Sequence, residues 1–268
     1  MMKNRSVGLL LSTVLAFGFP ALSFSQAPLP PLTITVLYDG SPSAAGSSAG
    51  PGFACLVRGT EKTVLFETGG EDAGILLKNL AAAGLDPRDI DLFVVSRPQA
   101  GELGGLLAIL AKKGAGQVFL PDPVPQPLRA KIEAAKGSVA PVTVPLSVCE
   151  GVFSTGQISG EQALVVDTPK GLVVVMGCGG AGVVEVVEKA KSVMPKDVYL
   201  VMGGFRFSGE TEAVLSPIVR RLHELGVGNL GAAACTGEKA IALLKKDFGR
   251  NYIALGTGKT VTVPNPKS

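Results

Sequence analysis

The sequence predicts an α/β fold: two packed sheets with helices on their outer faces. Three observations carry that expectation. The chain has 268 residues, of which 46% are hydrophobic, enough to bury a large core. Each half opens with short strand-like runs. Each half then continues as strands alternating with amphipathic helices.

In the first half, strand patterns lie at Thr33 to Leu37, Phe53 to Val57 and Thr63 to Phe66. The segment DGSPSAAGSSAGPG between the first two is a flexible loop by composition. A helix from Ile75 to Ala83 stops at Gly84, and an apolar strand follows at Leu92 to Val95. Helix Leu103 to Lys113, strand Val118 to Leu120 and helix Leu128 to Ala135 continue the alternation.

The second half begins with strands Val142 to Val144, Ala163 to Asp167 and the fully apolar Leu172 to Met176. Helix Val183 to Val193, strand Val198 to Met202, helix Glu212 to Leu225, strand Asn229 to Ala232 and helix Glu238 to Phe248 come next. Terminal strands are expected near Tyr252 to Ala254 and Thr260 to Val263. The folded domain is thus expected over residues 32 to 264.

The N-terminus reads as a secretory signal peptide over residues 1–25. Lys3 and Arg5 precede an apolar run from Val7 to Phe19, Pro20 breaks it, and small residues stand at Ser23 and Ser25. Cleavage is expected between Ser23 and Ala27, after Ser25; the alternative is a retained N-terminal anchor. Export to a periplasmic or extracellular space follows from this expectation.

Of 25 Lys+Arg in the chain, cleavage removes Lys3 and Arg5, leaving 23 against 22 Asp+Glu. That balance gives no electrostatic argument for nucleic acid or for acidic membranes, and no membrane association is expected after cleavage. The four cysteines, Cys55, Cys149, Cys178 and Cys235, allow two disulfides in three pairings, or buried free thiols.

Several stretches imitate known chemistry. Gly177 to Gly182 fits G-x-G-x-x-G between a strand and a helix, but the next strand ends Val201-Met202-Gly203-Gly204, with no acid to hold a ribose. A tight strand-to-helix turn is the expected role. Gly256-Thr257-Gly258-Lys259-Thr260 resembles the end of a phosphate loop but enters a β-rich run, so a hairpin turn is expected. The single histidine, His223, lies in a helix without metal-ligand partners at helical spacing and is expected to be structural. Neither Cys178 nor Cys235 has a convincing base beside it.

The most informative stretch is Asp91 to Leu106, DLFVVSRPQAGELGGL. A strand runs into Ser96 and a polar loop, and Gly104-Gly105-Leu106 then opens a helix. This frame resembles the signature of the metallo-β-lactamase superfamily, where Ser or Thr is followed by His-x-His-x-Asp-His and often Gly-Gly-Leu. The four ligand positions here read Arg97, Gln99, Gly101 and Glu102.

Further elements carry the resemblance across Thr33 to Val263. Leu65-Phe66-Glu67-Thr68-Gly69 is similar to Leu-Phe-Asp-Thr-Gly, and Gly177-Cys178-Gly179-Gly180 to Gly-Cys-Ser-His, with Gly180 in the histidine position. Gly203-Gly204-Phe205-Arg206 is similar to Gly-Gly-Phe-His, and Ala233 to Ala240 to Cys-His-Cys-Thr-Gly-x-Lys-Ala, with Ala234 for histidine. The branch resembled is that of dihydropterin and ribofuranosylaminobenzene phosphate synthase-like proteins.

The resemblance implies a four-layer αββα sandwich of metallo-β-lactamase type, with Cys178 and Cys235 near the mouth of its cleft. It also implies a dismantled metal centre, because imidazole and carboxylate ligands at fixed spacing are what such a centre needs. The expectation is a protein with no cofactor, no metal ligands and no catalytic residues. It would bind a small anionic ligand or a protein partner. Arg97, Gln99, Glu102, Arg206 and Glu67 are the ligand-binding candidates.

Arg97 and Glu102 are expected to meet in the vacated site with Arg206 close by. Two outcomes then compete. The arginines, the Gly177 to Gly182 turn and Gln99 could receive a carboxylate or phosphate. Alternatively, Glu67 and Glu102 neutralise the arginines and leave a closed core. The rival to a binding role is an enzyme needing no metal, with Arg97, Glu102, Glu67 and Arg206 as its polar set.

Overall fold

The computed structural model describes residues 30–98 and 103–264. The expected signal peptide therefore lies outside the described residues, as do Gln99, Gly101 and Glu102. The strands are β1 (Leu32–Tyr38), β2 (Ala54–Arg58), β3 (Val64–Phe66), β4 (Leu92–Val94), β5 (Gly116–Pro121), β6 (Gly137–Val142), β7 (Leu146–Cys149), β8 (Val152–Ser154), β9 (Leu164–Thr168), β10 (Gly171–Met176), β11 (Val198–Gly203), β12 (Val227–Ala232) and β13 (Thr260–Val263). The helices are α1 (Ala73–Ala82), α2 (Gly104–Lys113), α3 (Gln126–Ala134), α4 (Val183–Val193), α5 (Glu212–Glu224) and α6 (Glu238–Phe248).

Two sheets result, in the orders β13-β1-β2-β3-β4-β5-β6 and β12-β11-β10-β9-β8-β7. Period-two alternation sends one set of side chains from each sheet into the space between them. Ile34, Val36, Cys55, Val57 and Phe66 of the first sheet thus share a cluster with Leu164, Val166, Val173, Val175 and Met202 of the second. The opposite faces are covered by helices. Leu76, Leu80, Leu106, Ile109 and Ile132 pack against Leu56, Leu65 and Phe93. Val186, Val187, Val219, Leu222 and Leu244 pack against Val174 and Val201. Three buried seams make four layers, α/β/β/α, as expected. Each such apolar side chain contributes roughly 1.5–3 kcal/mol on burial.

The differences from the sequence reading fall at sheet edges. The strand expected at Val142 to Val144 is instead the end of β6, which begins at Gly137. Its sequence GSVAPV has weak strand character, yet β6 closes the first sheet, where Pro141 needs no outer donor. The short strands β7 and β8 had no periodic signal, and Tyr252 makes only an isolated bridge to Leu230 in place of a strand. The Gly256 to Thr260 stretch is a turn closed by Lys259 N–H donating to the Gly256 carbonyl. With no strand before it, it is not a hairpin; it packs on the 41–44 segment, whose Ser41 carbonyl accepts from Thr257. The loop 39–52 is also held: Asn79 donates to the Leu37 and Ser48 carbonyls and accepts from Ser48 N–H.

Candidate functional site

The chain elements that carry the resemblance converge at one edge of the sandwich, where β3, β4, β10, β11 and β12 end. The parallel pairings bring Met176, Gly203 and Ala232 level with one another, and Phe66 level with Val94. Loops leaving these ends hold Glu67, Arg97, Gly180, Arg206 and Ala234.

Glu67 is buried and stands at φ 62°, the left-handed region. Its N–H donates to the Val94 carbonyl at 2.9 Å, and its carboxylate accepts the Ser96 N–H at 2.5 Å. A side chain on Gly177 would come within 2.5 Å of Ser96 Oγ and 2.9 Å of Glu67 Oε1, so Gly177 lets β10 approach this pair. Glu67 is thus built into the join between β3, β4 and β10. Burial, and secondarily the Glu67 charge, pushes the Cys55 thiol far up.

Arg97 meets an acid that the sequence reading did not single out. Its Nη1 lies 3.7 Å from Oε1 of Glu161, with both side chains largely shielded, at 22% and 12% exposure. The same carboxylate accepts Gly180 N–H at 2.7 Å and Ala181 N–H at 3.1 Å. These amides belong to the turn before α4, whose N-cap, Gly182, supplies no side-chain cap. A methyl at Gly179 would fall 1.7 Å from Glu161 Oε2. Gly177 and Gly179 of the G-x-G-x-x-G stretch therefore make room for internal carboxylates, which accounts for these two without a dinucleotide; a side chain at Gly182 would meet open space.

A tight hairpin aims Glu161. Ile158 and Glu161 exchange backbone hydrogen bonds around Ser159 and Gly160, both at positive φ, the geometry of a primed two-residue turn. Beside it, buried Gln162 donates through Nε2 to the Val95 and Phe119 carbonyls at 2.9 and 3.0 Å. Its Oε1 accepts from Ser154 Oγ, and its N–H donates to the Ser96 carbonyl. Gln162 thus joins the second sheet to the ends of β4 and β5 in the first. The signal for this pair was the Ser-Gly turn, which places the next two side chains at a hairpin exit.

Arg206 is exposed at φ 49°, with no hydrogen bond or ion pair to the described residues. Its neighbours are fixed: Phe205 N–H donates to Thr236 Oγ1 and Phe207 N–H to the Thr236 carbonyl. Ala234 N–H donates to the buried Asp39 carboxylate at 2.9 Å. Burial holds that carboxyl above the ordinary aspartate range, against the lowering effect of the Ala234, Gly40 and Ser41 amides.

Cys178 and Cys235 form a disulfide, so the buried-thiol expectation for these two is corrected; Cys55 and Cys149 are free. His223 pairs with Asp247 across α5 and α6 and stacks on Phe248, a satisfied surface histidine.

These residues do not fit a dinuclear metal. Guanidinium groups at 97 and 206, a glycine at 180 and an alanine at 234 offer no lone pair to a cation. Among the described residues, no group of three His, Cys, Asp or Glu could hold one.

No family model matches the chain. It is 25% identical over 280 residues to 7,8-dihydropterin-6-methyl-4-(β-D-ribofuranosyl)-aminobenzene-5'-phosphate synthase of Methanocaldococcus jannaschii, covering 85% of this chain and 95% of that protein. Among solved structures, Tm1679, described as a metal-dependent hydrolase of the β-lactamase superfamily, superimposes with a TM-score of 0.72 at 23% identity, covering 87% of this chain and 100% of the other. The metallo-β-lactamase fold protein YhfI from Bacillus subtilis matches with a TM-score of 0.63 at 14% identity, over 87% and 100% of the two chains. With four layers in this order and solved relatives superimposing along most of its length, the chain has the metallo-β-lactamase fold.

Proposed function

We propose that this is an exported, metal-free protein of the metallo-β-lactamase fold that acts by interaction rather than by hydrolysis. The observation that carries the reading is the Arg97–Glu161 contact. At the edge where the fold's metal ligands belong, a guanidinium meets a carboxylate already held by the Gly180 and Ala181 amides. An internal anion there competes with any external one, which favours the closed core over an open anion pocket. A protein partner is then the better class of target. The N-terminal Lys3, Arg5 and apolar run support export, and a disulfide accords with an oxidising compartment.

Elemental analysis of the purified mature protein, together with titration calorimetry of small carboxylates and phosphates, tests the reading. The expected result is well under one transition metal per chain and no heat of binding at millimolar anion. One or two bound metals per chain would overturn it.

A second reading is an enzyme of the synthase type that works without the usual metal pair. The relative from Methanocaldococcus jannaschii favours it, since the similarity spans nearly that whole protein. In that case anions should bind, and an Arg97→Ala, Arg206→Ala double variant should lose them.

A further inference from the structure

β11 lies between β10 and β12, and all three are parallel. Neighbouring strands stand about 4.8 Å apart, so the ends of β10 and β12 are separated by roughly twice that distance. Cys178 follows β10 and Cys235 follows β12, yet their Cα atoms are only 6.2 Å apart. The two loops therefore lean toward each other over the end of β11. What lies beneath them is Gly204, where a side chain would fall 2.3 Å from Cys235 Sγ and 2.6 Å from Cys178 Sγ. Gly203, at φ 124°, has no more room, because its Cβ would lie 2.0 Å from the Met176 carbonyl oxygen. The Gly203-Gly204 pair is the saddle over which the disulfide passes.

Each bridged loop also has an anchor of its own. The loop of Cys178 is held by Glu161 through Gly180 and Ala181. The loop of Cys235 is held by Asp39 through Ala234 and by the Thr236 bonds to Phe205 and Phe207. Cutting the bridge would leave both loops tethered to the core and separate only their tips. Both cysteines are half-buried, packed against the core between the sheets but not sealed within it. Exposed disulfides are the ones that exchange readily with external thiols.

We propose that Cys178–Cys235 is a reversible redox clasp that sets the separation of the 177–182 and 233–237 loops. The reductant is a dithiol. One of its thiolates attacks a cysteine sulfur, the S–S bond breaks, and the other cysteine leaves as a thiolate. The second dithiol sulfur then resolves the mixed disulfide. The protein disulfide is reduced to two thiols, and the dithiol is oxidised to its own disulfide. The inference goes beyond the interaction reading and does not depend on export or on metal content.

The test uses the full mature chain in native buffer. Millimolar dithiothreitol should release two titratable thiols per chain while far-ultraviolet circular dichroism stays unchanged. Peptide-resolved hydrogen exchange should then accelerate about tenfold or more in the 177–182 and 233–237 segments, with β10, β11 and β12 unaffected. A Cys178→Ser, Cys235→Ser double variant should show the fast exchange without reductant and no further response to it. Should that variant fail to fold, the reduced wild type, and its return to slow exchange on reoxidation, decides. The clasp is refuted if no thiols appear without denaturant, if exchange is unchanged once they do, or if reduction unfolds the whole chain.

Discussion

The carboxylate of Glu161 accepts the amide of Gly180 at 2.7 Å, at the position where the family resemblance places a histidine ligand. The carboxylate is brought there by the hairpin turn at Ser159-Gly160. Arg97, in another ligand position, then finds the same carboxylate 3.7 Å away. Gly180, Ala181 and Arg97 thus share one carboxylate supplied by the chain itself.

Glu161→Gln should therefore destabilise the protein. The amide keeps one acceptor for Gly180 or Ala181 but loses the charge opposite Arg97. Charge-assisted hydrogen bonds contribute about 1.5–3 kcal/mol when shielded, so a loss on the order of 1–2 kcal/mol is expected. Urea unfolding midpoints measure it. An unchanged midpoint would mean the contact holds nothing together.

Gly179→Ala probes the same carboxylate from the other side. The new methyl would overlap Glu161 Oε2 at 1.7 Å, so either the turn or the glutamate must move. We expect a cost of about 2–3 kcal/mol, and much less in a Glu161→Ala background, a coupling characteristic of directly contacting residues. A double-mutant cycle with additive costs would place Glu161 elsewhere in solution.

The layers were legible because the apolar runs that build them are continuous. Leu172 to Met176 and Val198 to Met202 admit only buried strands between helices, and they pair as neighbours, β10 and β11. β6 was not legible, since Gly137 and Pro141 suppress a strand signal that only an edge position tolerates. Motif comparison found the cleft loops but did not single out Glu161, the acid that Arg97 meets among the described residues; Glu102, its expected partner, lies outside them. Glu161 bears no spacing relation to Arg97, and only folding of the Ser159-Gly160 turn brings them together. The pairing of Cys178 with Cys235 was equally closed to sequence, because four cysteines allow three pairings.

Gln162 should be among the costliest polar residues to replace. Gln162→Leu would strand the Val95 carbonyl and take from the Ser154 hydroxyl its acceptor between the sheets, while the Phe119 carbonyl keeps the Val95 N–H and Ser154 Oγ the Gly156 N–H. Each unsatisfied buried group costs roughly 1–3 kcal/mol, and two are left, so a total of about 2–3 kcal/mol is expected after the gain from an apolar side chain. Thermal and urea unfolding should agree on the loss. A near-neutral effect would imply that water replaces the amide between the sheets.

Asp39 supplies a pH-dependent prediction. Its folded carboxyl has a pKa raised by burial, so the native state binds a proton more tightly than the unfolded chain does. Stability from this group is therefore greatest below the unfolded value, about 3.9, and declines as pH rises from there through the raised folded value. Above that window the penalty for burying the charge is complete and constant. Asp39→Asn abolishes the titration while keeping an oxygen that can accept from Ala234 N–H. The amide also introduces donors facing the Gly40 and Ser41 amides, a cost that does not vary with pH. The stability of the Asn variant relative to wild type should thus rise with pH across the window and level off above it. Urea unfolding of both proteins between about pH 3 and pH 7 reads that slope directly. A difference that falls as pH increases would show that the native carboxylate is stabilised by its amide donors more than burial disfavours it, and a flat one that the two effects cancel; either overturns the prediction.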